Sequence, residues 1–343
     1  MLHTVKALPW IVGLCCAFSV CAEELTFLPI TTNVPTRVDT NVALTVLRSQ
    51  AEKKDVHAMT LLGYRYLTGQ GAPKDPAEAL RWLRPAAEAG ESDAEFNYGW
   101  MHVVGVGAPQ NYAEGMKWYL RSVKKGNPQA ASGLGDIYRF GWGVPKNGKE
   151  AVEWYSVASE GGNAVASLNI GAMYWAGDGV ARDQQQALAW FRKAAEKGQA
   201  EAQSNLGLIY WSGDGVKTNL QEAVRWFRQA AEQGNATAQL NLAACYNDGL
   251  GIKEDKQEAM RWLAKAAMQN DHDAQFHLAM FYAEGKYTAT NLPDAYVWFS
   301  LAARAGDAKA QANADAVAAQ MEPGQWLPAF KRFQELKTKL SQP

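Results

Sequence analysis

Few side chains in this chain of 343 residues have the type and spacing that chemistry requires. Cys245 is the one cysteine beyond the first 22 residues, so a cluster of thiolate ligands is excluded. The histidines beyond that point also lack the i, i+4 spacing with which a helix binds zinc. They are His57, His102, His272 and His277. The sequence therefore predicts no metal site and no cofactor.

One short motif resembles a catalytic nucleophile. Ser122 and Lys125 have the Ser-x-x-Lys spacing of penicillin-recognising enzymes, but the Ser-Asp-Asn and Lys-Thr-Gly motifs that accompany it there are missing. Gly-Asp-Gly at 177–179 and 213–215 lacks the alternating acidic residues of a calcium loop. The Gly-x-Gly pairs also lack the third glycine of a dinucleotide-binding loop. We therefore predict that the protein is not an enzyme.

The charge of the chain is balanced. Lysine and arginine number 34, aspartate and glutamate number 35, and the formal net charge is −1. This balance carries no signature of binding to nucleic acid or to an anionic membrane, and neither partner is predicted. Hydrophobic residues make up 48% of the chain, which is enough for a large core and excludes wholesale disorder.

The first 22 residues have the layout of a secretory signal peptide. Lys6 precedes an apolar run at 7–20, and the small residue Ala22 ends a cleavage pattern. The alternative is a membrane anchor, but the apolar run is too short to span a bilayer comfortably. We expect a periplasmic or secreted protein with no transmembrane span after cleavage. Cys245 then has no partner cysteine, so stability has to come from packing.

Small and aromatic residues recur every 36 positions, which is the signature of a repeat architecture. The register holds without insertion or deletion and defines seven complete units over residues 58–309. Alanine marks the first position at Ala58, Ala94, Ala130, Ala166, Ala202, Ala238, Ala274 and Ala310. Tryptophan recurs at Trp82, Trp118, Trp154, Trp190, Trp226, Trp262 and Trp298.

Each unit begins with a helix that ends in a glycine turn. Ala202, Leu206 and Tyr210 are four residues apart and therefore share one helical face. Gly207 lies inside this helix, where glycine is unfavourable, and its recurrence predicts the close approach of a neighbouring backbone. A Gly-x-Gly turn such as 213–215 follows, because glycine adopts the backbone angles that reverse the chain.

The second helix of each unit opens with a capping box. An Asx side chain caps the helix, and an acid or amide three residues later is expected to cap in return. The capping residues are Asp75, Asn111, Asn147, Asp183, Asn219, Asp255 and Asn291. A single pair of helices buries one apolar side, whereas stacked pairs bury two. The sequence therefore predicts an all-α fold of stacked antiparallel helix pairs.

The repeats also set the domain organisation. A half-repeat precedes the first unit, because Val46 and Ala51 match Trp82 and Ala87 one period later. Pro323 ends a last first helix, and a closing polar-faced helix is predicted at 326–340. The predicted segments are a signal peptide at 1–22, an extended linker at 23–38, an N-terminal half-repeat cap at 39–57, seven repeats at 58–309 and C-terminal capping helices at 310–343.

The repeated pattern resembles the Sel1-like repeat, a relative of the tetratricopeptide repeat. The match is nearly literal from Ala202 to Val216, which read Ala-Gln-Ser-Asn-Leu-Gly-Leu-Ile-Tyr-Trp-Ser-Gly-Asp-Gly-Val. The resemblance covers about three-quarters of the chain and implies a right-handed α-solenoid superhelix. Exported members of the family serve as adaptors in envelope regulation, exopolysaccharide systems and host-cell contact. The resemblance therefore implies a scaffold that binds another protein in the bacterial envelope or in a host.

Residues on the outward side of the first helices are candidates for partner binding, because the repeat does not need them for its own packing. Trp175 and Trp211 occupy equivalent outward positions, Trp100 occupies another, and Trp142 lies within a Gly-x-Gly turn. The alternative is that these rings pack as additional core. Recurring amides could hydrogen-bond an extended peptide, or instead tie neighbouring units together. The amides of the candidate site are Asn169, Asn205 and Asn241.

We expect a monomer that binds a protein or peptide partner in the concave groove that first helices line in related solenoids. One alternative is the binding of carbohydrate or of a peptidoglycan fragment, because the faces of tryptophan rings stack on sugars. The remaining alternative is a hydrolase of the cell-wall or β-lactam type, which rests on Ser-x-x-Lys alone.

Overall fold

The computed structural model describes residues 43–285 and 290–341, where it contains seventeen α-helices, two 3-10 helices and no strand. The predicted signal peptide and linker lie outside the described residues. The α-helices are α1 Leu44–Glu52, α2 Val56–Thr68, α3 Pro76–Glu88, α4 Ser92–Val104, α5 Tyr112–Val123, α6 Pro128–Phe140, α7 Gly148–Glu160, α8 Ala164–Ala176, α9 Gln184–Glu196, α10 Ala200–Ser212, α11 Leu220–Glu232, α12 Ala236–Asp248, α13 Lys256–Ala267, α14 His272–Glu284, α15 Leu292–Ala302, α16 Ala308–Ala318 and α17 Trp326–Leu340.

The described helices divide into two compact units, the first of residues 43–197 and the second of residues 198–285 and 290–341. Within each unit the helices pack on their neighbours in sequence, and the final helix α17 packs on α15. First helices of successive repeats also touch, as α4 touches α6 and α10 touches α12. The predicted all-α fold of helix pairs is confirmed, while the hand of the superhelix stays a prediction.

The first helix of each pair begins at a polar cap that the sequence pattern did not identify. Each cap accepts a hydrogen bond from a backbone N–H of the first turn, a group that has no partner inside the helix. The first helices therefore begin two residues before the repeated alanine. The caps are Asp55, Glu91, Asn127, Asn163, Gln199, Asn235, Asp271 and Asp307.

The second helices begin at the predicted residues, but the capping box is only half formed. Asn219 Oδ1 accepts a hydrogen bond from the Glu222 N–H at 3.1 Å. The Asn219 N–H donates to the Tyr210 carbonyl at 2.8 Å, and the equivalent bond closes the turn in all seven repeats. The acid or amide three residues after the cap can therefore make another contact. In repeat two this residue is Glu114, whose Oε1 accepts a hydrogen bond from Trp118 Nε1 at 2.7 Å.

The glycine inside the first helix leaves room for a large side chain. A Cβ at Gly207 would lie 2.4 Å from the ring of Phe227, which is fully buried on the second helix of the same repeat. Gly171 stands against Phe191 in the same way. The prediction that a backbone approaches this glycine is wrong at these two positions, because an aromatic ring fills the space. It holds at the equivalent Gly99, where a Cβ would lie 3.0 Å from the carbonyl oxygen of Gly115.

The second glycine of the turn joins one repeat to the next. Gly251 has a φ of +72°, and a Cβ there would lie 2.3 Å from the carbonyl oxygen of Leu220. Leu220 is the first residue of α11 in the preceding repeat. A larger residue at this turn would therefore meet both the positive φ and the neighbouring backbone.

The two ends of the described chain differ from the predicted caps. In α1 the buried residues are Leu47 and Ala51, whereas Val46 is 49% exposed, so Leu47 rather than Val46 faces the first repeat. Helix α17 has the predicted bounds. Its polar face is interrupted in the first two turns by exposed Trp326 and other apolar side chains.

Candidate partner-binding surface

Three aromatic rings stack at the turn of repeat three. Trp142 lies 5.1 Å from Phe140 and 6.1 Å from Tyr112, measured between ring centroids, with interplanar angles of 25° and 14°. The guanidinium of Arg139 lies 5.2 Å from the centroid of Phe140. All three rings are half-buried. We call Tyr112, Trp142, Phe140 and Arg139 the aromatic row.

The aromatic row is fixed by an ion pair with the next repeat. Arg139 Nε donates to Asp178 Oδ2 at 2.9 Å. The Arg139 side chain is only 9% exposed, whereas that of Asp178 is 46% exposed. Asp178 is the middle residue of a Gly-Asp-Gly turn, so this carboxylate anchors the row and remains accessible at the surface.

Two of the other predicted tryptophans are also half-buried. Trp100 packs against two buried apolar clusters, one that contains Tyr98 and one that contains Phe96. Trp211 packs against the buried cluster of the second unit that contains Leu208. Both rings contribute to the core and keep part of their surface exposed.

Trp175 lies inside the repeat. It is 8% exposed, and its ring centroid is 6.4 Å from that of Phe191. The expectation that it faces outward is wrong, because the indole fills space beside the second helix of its own repeat. Trp175 therefore exposes too little surface for the predicted role in partner binding.

The predicted amides differ in exposure. Asn169 is half-buried, whereas Asn205 and Asn241 are 2% and 0% exposed. The last two therefore point into the repeats and do not present a row of amides to an extended peptide, which corrects the expectation for these positions.

A buried polar group in repeat three was not identified from the sequence. Tyr155, which is fully buried on α7, donates a hydrogen bond to Asp136 Oδ1 on α6 at 2.5 Å. The equivalent of Tyr155 is Phe191 in repeat four and Phe227 in repeat five. The available signal was that an aspartate on the first helix and a tyrosine in place of phenylalanine on the second occur in the same repeat.

Burial changes the proton affinity of this pair. It raises the pKa of Asp136 to about 6, although the hydrogen bond from Tyr155 and the charge of Arg139 act in the opposite direction. Burial also raises the pKa of Tyr155 well above its usual value. The carboxyl of Asp136 therefore titrates in a mildly acidic range.

The Ser-x-x-Lys residues take part in a joint between helices. The Ser122 hydroxyl is fully buried and donates to the carbonyl of Ser92 at 2.8 Å. Lys125 Nζ lies 2.8 Å from the buried carboxylate of Glu95, and Arg121 lies 2.9 Å from the same oxygen. Both motif residues thus have structural partners, and Ser122 is not accessible to a substrate in this structure.

Other reactive groups are equally enclosed. Cys245 is fully buried, and burial raises the pKa of its thiol to about 12. Among residues 43–285 and 290–341, no three histidine, cysteine or acidic side chains are grouped so as to hold a metal ion. In the same part of the chain, no helix has both the length and the apolar character needed to cross a membrane.

The repeats match a known family over most of the chain. Seven consecutive stretches fit the Sel1 repeat model, at residues 56–91, 92–127, 128–163, 164–199, 200–235, 236–271 and 272–307. The chain belongs to the Sel1 repeat family. The family boundaries begin two residues before the repeated alanines, at the first residue of each first helix. Sel1 repeat proteins generally mediate protein–protein interaction, and their fold is typically a non-catalytic scaffold.

Solved structures of other Sel1 repeat proteins resemble this one. The protein c5321, described as a protective antigen of uropathogenic Escherichia coli, is 33% identical with a TM-score of 0.56, over 88% of this chain and 72% of that one. A Sel1 repeat protein from Oxalobacter formigenes is 36% identical with a TM-score of 0.60, over 67% of this chain and 94% of that one. A comparison with curated proteins gave no match.

Proposed function

We propose that this Sel1 repeat protein is an exported scaffold or adaptor that binds another protein through the aromatic row of repeat three. The row combines half-buried rings with an accessible carboxylate at Asp178. Aromatic and arginine side chains dominate the binding energy of many protein interfaces. Because the row is already ordered by stacking and by an ion pair, a partner does not have to immobilise these side chains on binding.

The geometry of Trp142 favours a protein partner over a sugar. A sugar ring stacks on an open aromatic face, but Trp142 stacks with both Tyr112 and Phe140. The two neighbouring rings therefore leave less of the indole face open to a sugar than an isolated ring would, which favours contact with the side chains or the backbone of a protein partner.

The proposed location is the periplasm or the exterior of the cell. The apolar run at 7–20 followed by Ala22 supports export through a cleaved signal peptide. The likeness to a protein described as a protective antigen is in keeping with exposure to a host. In this proposal the protein acts as a monomer and engages its partner along the concave groove that first helices line in related solenoids.

The test begins with crosslinking capture from intact cells, followed by titration of the purified partner. Replacing Tyr112 and Trp142 together by alanine is expected to weaken binding by about 2 kcal/mol or more, roughly thirtyfold. Trp142→Phe should retain most of the affinity because it preserves stacking. Circular dichroism melting would verify that each variant remains folded.

Trp262→Ala provides a matched control in the second unit. Trp262 is also half-buried, with Lys265 Nζ 3.7 Å from its ring centroid. An equal loss of affinity in this control would place the binding surface elsewhere. Saturable binding of oligosaccharides or muropeptides, with no protein captured, would instead support the carbohydrate alternative.

A further inference from the structure

Exposed apolar side chains gather on the C-terminal helix of the second unit. Trp326, Leu327 and Phe330 are 39%, 62% and 48% exposed and lie in the first two turns of α17. Of the described residues, two other large apolar side chains are comparably exposed, and both belong to the first unit. Single exposed apolar residues are ordinary, but a contiguous group marks an interaction site.

These three side chains are not what attaches α17 to the repeats. The helix is held by an adjoining flank, where Ala329 is 2% exposed and Phe333 and Leu336 pack against the core. An ion pair between Arg332 and Asp294 adds a polar attachment. Trp326 makes one edge contact with Tyr296, at 5.2 Å between centroids. The exposed group is therefore available for another role.

The charge of α17 as a whole is basic. Helical spacing places Trp326, Phe330 and Lys337 on one stripe, and it places Leu327 and Lys331 on the adjoining stripe. The first stripe contains no acidic residue within α17, whereas the second continues to Glu335, the one acid of the helix. Lys331, Arg332, Lys337 and Lys339 outweigh this acid, so the four basic residues and one acidic residue give α17 a net charge of +3. The apolar group lies toward the start of the helix, and the lysines follow it.

Size and shape argue against a second copy of the chain as the occupant. Three side chains of this exposure offer about 300 Å² of apolar surface, given that large aromatic side chains bury about 150–250 Å² each. A stable protein interface buries about 800 Å² on each partner. The group also forms the flank of a helix rather than a groove. A fluid surface requires no matching shape, so a small apolar and basic flank suits it better.

We propose that α17 docks this protein on an anionic lipid surface. Trp326, Leu327 and Phe330 enter the boundary between headgroups and acyl chains, while Lys331 and Lys337 contact lipid phosphates. Basic helices with aromatic and leucine side chains on one face bind membranes in this way without crossing them. The net charge of the whole chain, −1, does not indicate this site, because acidic residues elsewhere balance the lysines of α17. The proposal is independent of the aromatic row.

Co-sedimentation of the purified protein with lipid vesicles tests this proposal. We expect binding to vesicles of equal parts phosphatidylglycerol and phosphatidylcholine, and much weaker binding to phosphatidylcholine alone. The double variant Leu327→Glu, Phe330→Glu should lose binding by at least tenfold. Lys331→Gln with Lys337→Gln should weaken binding to the anionic vesicles by about thirtyfold, since each lysine near such a surface contributes about 1 kcal/mol.

Val157→Glu is the matched control, because Val157 is a single apolar residue, 45% exposed, in the first unit. It should bind anionic vesicles as the unchanged protein does, and so should Trp142→Ala. Equal binding to both vesicle types, or undiminished binding by the Leu327 and Phe330 double variant, would overturn the proposal. If that variant instead lost a captured protein while no form bound vesicles, the occupant would be a protein and the lipid proposal would also fail.

Discussion

Repeats three and five bury different chemistry at the same two positions. In repeat three, Asp136 on the first helix accepts a hydrogen bond from Tyr155 on the second. In repeat five the equivalents are Leu208 and Phe227, which are 2% and 0% exposed and belong to one apolar cluster. In these two repeats the polar group is present on both helices or on neither, and a hydroxyl or carboxyl buried without a partner would cost about 1–3 kcal/mol.

The joints between helices differ in the same way. Glu95 in repeat two forms an ion pair with Lys125, thirty residues later. In repeat five, Gln203 accepts a hydrogen bond from Gln233 over the same separation, at 2.7 Å. The packing of the helices thus determines which two positions are in contact. The residue types at those positions determine whether the contact is an ion pair, an amide hydrogen bond or an apolar contact.

The largest expected change in stability comes from placing a negative charge at the contact between Gln203 and Gln233. Gln203→Glu buries a carboxylate opposite Gln233 without a cation, and we expect unfolding to become easier by about 3 kcal/mol at neutral pH. Adding Gln233→Lys transfers the ion pair of repeat two to repeat five and should recover most of this loss. Urea denaturation of the single and double variants measures both changes. No recovery in the double variant would show that the two joints are not interchangeable.

A smaller effect is expected from the titration of Asp136. Its pKa is raised from 3.8 to about 6 in the folded chain, so the folded state binds more protons between these values. The free energy of unfolding should therefore fall as pH rises through this range, by about 2 kcal/mol in total. Asp136→Asn cannot titrate and should lack this component.

The comparison of wild type with Asp136→Asn removes the contribution of other groups. Both proteins contain further carboxyls with raised pKa values, including Asp93 and Asp271. The difference between their unfolding free energies at pH 4 and pH 7 therefore isolates Asp136. Parallel pH curves for the two proteins would mean that folding does not shift the pKa of this carboxyl.

The smallest change in stability is expected when Asp136 and Tyr155 are replaced by the residues of repeat five. Asp136→Leu leaves the Tyr155 hydroxyl without its acceptor, and Tyr155→Phe leaves the carboxyl without its donor. Each should cost about 1–2 kcal/mol, whereas the double variant, which imitates repeat five, should come within about 1 kcal/mol of wild type. Additive losses in thermal or urea denaturation would show that the two side chains do not act as a pair.

The sequence predicted the repeat far better than it predicted the surface. The helix pairs and the caps of the second helices follow from local chemistry, since Asn219 caps its helix wherever the helix is placed. The surface depends on which side chains fill the space between helices. Trp175 and Trp211 are equivalent in the repeat, yet one is buried and the other half-buried. The repeat pattern alone cannot distinguish these two tryptophans, because residues on other helices determine how much of each ring is exposed.

The sequence by itself determined the thirty-six-residue period, the all-α fold and the residues that begin each second helix, because these features depend on spacing within a few turns of chain. Only the tertiary structure decided that Asp136 meets Tyr155, that Trp142 stacks with two other rings, and that the first turns of α17 expose apolar side chains. These features depend on contacts between separate helices, and such contacts form only when the helices pack.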